Sequence, residues 1–173
     1  MIVLDTNVVS EPLKPRPDAN VIAWLDEQAV ETLHLPSTAL AELLVGIERL
    51  DEGRKKRELM REVEAQLAEL FGHRVLSFDA IAAKAYSVVV SLARANGTIV
   101  SVGDGQIGSI AKVHGFIVAT RDVSPFLKMG VAVINPWEDK PVVQRLAGVE
   151  GPAAPEAAAI DVEVWSKKKL DTR

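Results

Sequence analysis

An α/β fold on a mostly parallel central sheet is predicted by two features of this chain. Short, wholly apolar runs, such as residues 2–4 and 116–119, alternate with longer segments of helical periodicity. Runs that are apolar at every position belong to strands buried on both faces, the pattern of parallel sheets covered by helices.

Residues 2–4 form the first strand. Pro12, Pro15 and Pro17 punctuate the next segment, after which Val21, Ile22, Trp24 and Leu25 space a short amphipathic helix. Residues 32–35 predict a second strand, stopped by Pro36. Ser37 is placed as the N-cap of a helix running to about Leu50. A highly charged helix follows over 55–71, with Leu59, Val63, Leu67 and Leu70 at helical spacing. Residues 75–78 are a third strand, and Asp79 caps a helix that ends at Asn96-Gly97. Residues 103–114 predict a helix stopped by Gly115, and 116–119 and 131–134 are two further strands.

Beyond Pro136-Trp137 the composition changes. Residues 148–159 are rich in Ala, Pro and Gly and read as a linker. Residues 160–173 carry Val162, Val164, Trp165 and Lys167-Lys168-Lys169, too few for a domain: a disordered tail or an arm that docks on a partner. The expected division is a domain over 1–139 and an extension over 140–173.

At 173 residues one ordinary core is expected, and 48% hydrophobic with 25% charged residues fits a soluble globular chain. With no cysteine, disulfides, zinc-thiolate sites and thiol nucleophiles are excluded. The opening Met1-Ile2-Val3-Leu4-Asp5 has no basic n-region and is not read as a signal peptide, so the expected location is the cytoplasm. A net charge of −4 argues against a broadly basic nucleic-acid coat, not against a local basic path.

Four acids stand in apolar or small-residue settings. Asp5 closes the first strand, and Asp122 follows the apolar run 116–119. Glu42 lies among Thr38, Ala39, Val45 and Gly46 on a helix face that is expected to be covered. Asp104 shares a face with Ile107, Gly108 and Ala111, which points it inward. Each admits a plainer reading: a turn at Asp5-Thr6-Asn7, a surface Glu42, a first-turn acid at Asp104, and a cap or a partner for Arg121 at Asp122. Together they repel unless a cation sits between them. His34, His73 and His114 lack the spacing of a zinc helix, and Arg54-Lys55-Lys56-Arg57 reads as a solvated helix start.

Leu4-Asp5-Thr6-Asn7-Val8, Ala41-Glu42-Leu43, Asp104 and Ala119-Thr120-Arg121-Asp122 resemble the motifs of PIN-domain ribonucleases. More narrowly they are similar to VapC-type toxins of bacterial type II toxin–antitoxin systems. Ser10-Glu11-Pro12 and Val133-Ile134-Asn135-Pro136-Trp137 lie nearest the FitB-like branch. The resemblance covers about residues 1–139. It implies a three-layer α/β/α sandwich and a Mg²⁺- or Mn²⁺-dependent endoribonuclease leaving 5′-phosphate and 3′-hydroxyl ends. Asp5, Glu42, Asp104 and Asp122 match the family's acidic positions, and Thr6, Asn7 and Thr120 its flanking polar ones. It also implies a homodimer and a VapB-type antitoxin that occludes the site and binds operator DNA, which the toxin meets only through it.

Carboxylates are hard ligands suited to Mg²⁺ or Mn²⁺. Asp5 and Asp104 are assigned as principal ligands, Asp122 to a second ion or a bridging water, and Glu42 to ligation or to orienting the attacking water. Two other readings remain. One is a catalytically silent binding module that acts through its antitoxin and DNA complex. The other is a haloacid-dehalogenase-type phosphatase, disfavoured because Asn7 stands where that chemistry needs a second Asp.

Overall fold

Ile2, Val3 and Leu4 are each at most 2% exposed, so both faces of the first strand are covered. The computed structural model describes residues 1–147. Within them β1 (Ile2–Leu4), β2 (Leu33–Pro36), β3 (Val75–Leu76), β4 (Ile117–Ala119) and β5 (Val133–Ile134) form one sheet in the order β3-β2-β1-β4-β5. Every pairing between them is parallel, with Ile2 opposite Leu33 and Leu4 opposite Ala119. Seven α-helices among the described residues complete an α/β/α fold: α1 (Thr6–Ser10), α2 (Ala19–Asp26), α3 (Ser37–Glu48), α4 (Arg54–Phe71), α5 (Ala80–Ala95), α6 (Val102–His114) and α7 (Val123–Lys128). The core is the layer of strand residues with Val8, Leu25, Leu43, Leu67, Val89, Ile107 and Phe126 packed on it.

The chain first builds outward from β1 to β2 and β3, then crosses to β4 and β5 on the other side. Crevices form at the carboxyl ends of strands where the order reverses in this way. Asp5 and Thr120 follow directly on the two strands that meet there, β1 and β4.

Several helix ends match the sequence. Asp79 accepts from the backbone N–H groups of Ile81 at 2.9 Å and Ala82 at 2.8 Å. Gly115 adopts φ 67°, the left-handed conformation that ends α6 without a Cβ clash. Ser37 departs from expectation. It is the first helical residue, Pro36 holds the cap position, and the Ser37 hydroxyl accepts from Phe78 N at 3.2 Å. That bond ties the end of β3 to the start of α3. The helices α1 and α7 were not expected from the sequence, since five and six residues are too few to show a period. The strands are one to two residues shorter than predicted at several ends, because only paired residues count as sheet.

The basic run at the start of α4 is not uniformly solvated. Lys56 is 7% exposed and bridges Glu48 at 2.8 Å and Glu52 at 2.6 Å, joining the end of α3 to α4. Glu11, also buried, accepts from Lys14 Nζ at 2.6 Å and Asp18 N at 2.9 Å, which closes the proline-rich loop before α2. After β5 the chain returns to the sheet, where Val133 and Gln144 exchange backbone hydrogen bonds of 2.9 and 2.7 Å. The linker at 148–159 and the arm with Val162, Val164 and Trp165 lie outside the described residues.

Helices α5 and α6 pack closely because Gly105 has no side chain. A Cβ there would lie 2.5 Å from the Tyr86 ring and 3.2 Å from Val90. Gly105→Ala is expected to destabilise the fold by about 1–3 kcal/mol. Gly108→Ala meets chiefly the Met129 thioether, at 2.7 Å, which can move, and should cost clearly less. Urea denaturation of the two variants tests the ordering, and equal losses would refute the packing argument.

Candidate active site

Asp5 leaves β1 in extended conformation and caps α1, its carboxylate accepting from Thr6 N at 2.7 Å. The same carboxylate accepts from Asn7 Nδ2 at 2.6 Å and Thr120 Oγ1 at 2.7 Å. Thr120, fully buried, accepts in turn from Asn7 Nδ2 at 3.3 Å and Asp122 N at 3.0 Å. The Asn7 side-chain oxygen accepts from Arg121 N at 3.2 Å. The ends of β1 and β4 are thus stitched together around one carboxylate.

Asp5 is 5% exposed, and its pKa is pushed up to about 6. Burial is the main cause, since a low-dielectric setting disfavours the charged form. The hydrogen bonds from Thr120 and Thr6 pull the other way, and the charges of Asp104 and Glu42 push it up further. A carboxyl poised close to neutrality at a crevice is a mark of functional sites.

Glu42 reaches this group from α3, accepting from Thr6 Oγ1 at 2.5 Å. Its helix face is not covered as predicted: Glu42, Val45 and Gly46 are all exposed. Small neighbours there leave an open cleft instead of a packed contact. Glu42 also rests against Gly103, where a Cβ would stand 2.3 Å from Glu42 Oε1. Asp104 occupies the first turn of α6, half-buried as its apolar face predicts, with its N–H donating to Ser101 Oγ at 3.0 Å. Asp122 precedes α7 and is exposed, makes no side-chain cap bond, and is not among the charges acting on Asp5.

The structure therefore gathers Asp5, Thr6, Asn7, Glu42, Asp104 and Thr120, and ties Asp122 to them only through its backbone. Among the described residues, no group of three acidic or imidazole side chains is close enough to hold a metal ion as it stands. The donor chemistry nonetheless suits a hard cation, because the groups that converge are carboxylates and each raises the cost of charging Asp5.

Beside Glu42 runs a cleft of about 510 Å³ whose walls include Thr38, Val45, Arg49, Phe78 and Gln106. Thr38 Oγ1 donates to Gln106 Oε1 at 3.0 Å across it. Sequence reasoning missed two features. Gly103 is the seat of Glu42, a role for which the adjacent Gly-Asp-Gly was a signal. Arg121 is not the ion-pair partner of Asp122: its guanidinium lies over the Trp137 ring, 5.6 Å from the centroid. Residues 16 apart in sequence gave no sign of that contact. No helix among the described residues is long and apolar enough to cross a membrane.

An acid-rich crevice at the carboxyl edge of a five-stranded parallel sheet agrees with the family to which the sequence matches. Residues 2–131 match the PIN domain, and the chain belongs to that family. It is 46% identical over 138 residues to plasmid stability protein StbB of Pseudomonas syringae pv. tomato, covering 80% of this chain and 99% of that protein. It is 42% identical to VapC ribonuclease Y4jK of Sinorhizobium fredii, with the same coverage. Toxin FitB of Neisseria gonorrhoeae is 43% identical over 139 residues, 80% of this chain and all of that one. Among solved structures, FitAB bound to an IR36 DNA fragment superimposes with a TM-score of 0.78 at 41% identity, over 81% of this chain and 98% of that one.

Proposed function

We propose that this chain is a divalent-metal-dependent endoribonuclease and the toxin of a toxin–antitoxin pair. The observation that carries the reading is Asp5: a buried carboxyl with three hydrogen-bond donors, at a strand end, facing Glu42 and Asp104. Membership of the PIN family and relatives named as a VapC ribonuclease and a toxin support it.

Asp5 and Asp104 would hold Mg²⁺ or Mn²⁺, with Asp122 serving a second ion or a bridging water. The bound ion would supply Lewis acidity toward water and the phosphodiester. Asn7 and Thr120 fix the Asp5 carboxylate in one orientation. Thr6 holds Glu42 at the crevice mouth, where it can orient the attacking water and take its proton. The nuclease unit is assigned to residues 1–139, with 140–173 as an extension and the cytoplasm as its location. The partner is a VapB-type antitoxin, through which operator DNA is reached, and the toxin is a homodimer; the complex of FitAB with a DNA fragment supports the antitoxin and DNA parts of this reading.

A second reading, a catalytically silent binding module, draws on the loose spacing of the acids and the exposed Asp122. One experiment separates the two. Purified chain free of antitoxin is expected to cleave RNA with Mg²⁺ or Mn²⁺, and EDTA or Asp104→Asn to abolish it. Asp104→Asn should also keep or raise thermal stability, because repulsion with Asp5 is relieved. Cleavage that persists in EDTA refutes the metal mechanism, and no cleavage with either ion favours the silent module.

A further inference from the structure

A cation beside a crowd of acids ordinarily pairs with one of them, and Arg121 does not. It is flanked by Thr120, bonded to Asp5, and by Asp122, yet among the described residues it makes no ion pair. Its backbone is fixed to the crevice through Asn7, while its side chain is exposed and laid over Trp137. Trp137 is itself anchored. Its backbone N–H donates to Asn135 Oδ1 at 3.1 Å, its backbone carbonyl accepts from Asn20 Nδ2 at 3.2 Å, and its half-buried ring packs on the core. The guanidinium thus lies over the indole, and among the described residues its N–H groups have no acidic partner.

We infer that Arg121, held by Trp137, is the phosphate-binding residue for the nucleotide next to the one cleaved, on the β4–β5 side of the site. The inference rests on the ribonuclease reading of that same site. Asp5 follows directly on β1, Arg121 comes two residues after β4 and Trp137 three residues after β5, and these strands are neighbours in the sheet. Neighbouring strands are roughly 4.8 Å apart, so a backbone crossing Asp5 meets Arg121 at the next position along the edge. A chain of net charge −4 with acids at its centre repels a polyanion unless a local cation offsets them. Guanidinium bonds phosphate oxygens in pairs, and stacking on an aromatic reduces the rotamer freedom lost on binding. An acidic peptide would need the same cation, but only RNA must pass Asp5 for the proposed reaction to occur.

The test is fluorescence-anisotropy binding of labelled, mixed-sequence single-stranded RNA to the full chain carrying Asp104→Asn, in Mg²⁺, across a range of salt. Adding Arg121→Gln should weaken binding about tenfold and lower the slope of log affinity against log salt by about 0.7, one phosphate contact on a single strand. Arg121→Lys should keep the slope. Trp137→Leu should keep it too while weakening binding about threefold, because the cation remains but is no longer held. Unchanged affinity and slope in Arg121→Gln overturn the inference while the ribonuclease reading stands. Unchanged RNA binding with lost binding of an acidic peptide also overturns it and reassigns Arg121 to a protein partner. If the parent Asp104→Asn chain binds no RNA, the inference is overturned, while the ribonuclease reading is decided separately by cleavage with the unsubstituted chain.

Discussion

Substituting Asp5 by asparagine is expected to abolish RNA cleavage, by about a thousandfold or more, and to raise the melting temperature of the metal-free protein. Both effects have one cause. The Asp5 carboxyl has a pKa near 6 in the fold and 3.8 as an unperturbed group. A group whose pKa is raised on folding contributes stability that is fully present below its unfolded value. That contribution disappears as pH rises through the folded value. At neutral pH the metal-free fold therefore carries a charge that costs it roughly 2–3 kcal/mol. The wild-type melting temperature should therefore rise relative to that of Asp5→Asn as pH falls from 7 toward 5. His34, whose pKa burial lowers, costs stability as pH falls through the same window and opposes Asp5, but it does so equally in Asp5→Asn. Asparagine removes the charge and with it the Asp5 contribution to the pH dependence. The gain is smaller than the full cost because the new amide faces Asn7 Nδ2, a second donor. A wild-type melt with the same pH dependence as that of Asp5→Asn, or an Asp5→Asn protein that melts far lower, would make the carboxylate structural.

Gly103→Ala should separate activity from stability in a different way. The added methyl occupies the space of Glu42 Oε1, 2.3 Å away, while its next contacts, Glu42 Cδ at 3.5 Å and Ser101 Oγ at 3.8 Å, are ordinary. The group that must move is the end of a flexible side chain, so the fold loses little. Alanine is also the better helix former, by about 1 kcal/mol in a helix interior and less in the first turn. Glu42, however, leaves the Thr6 hydroxyl that positions it. Cleavage should fall at least about tenfold while the melting temperature holds or rises. A variant as active as wild type would show that Glu42 is not needed at that place.

What the sequence made legible followed from burial and from chain-local geometry. Ile2–Leu4 is apolar at every position, so both its faces had to be covered, and the parallel sheet followed. Gly115 and Asp79 act on neighbours two to four residues away, and both were readable. Asp104 was correctly turned inward because its face carries Ile107, Gly108 and Ala111. Glu42 was misplaced for an instructive reason: small neighbours can mean a tight contact or an open cleft, and only the position of α3 relative to α6 decides which. Ser37 has the local pattern of a cap, the commonest use of serine before a helix, but its hydroxyl serves Phe78, 41 residues away. The meeting of Asp5 with Thr120, and of Arg121 with Trp137, depends on strand order. No local pattern encodes that order.

The return of the chain after β5 bears on how copies of this protein can meet. Exposed strand edges are templates for adding another chain's strand. Here the outward N–H and C=O of Val133 are both occupied by Gln144, and at the opposite edge β3 has only two residues to offer. Among the described residues neither side presents a ladder long enough to extend. Among the described residues, association between copies would therefore rest on side-chain surfaces rather than on backbone pairing at a sheet edge.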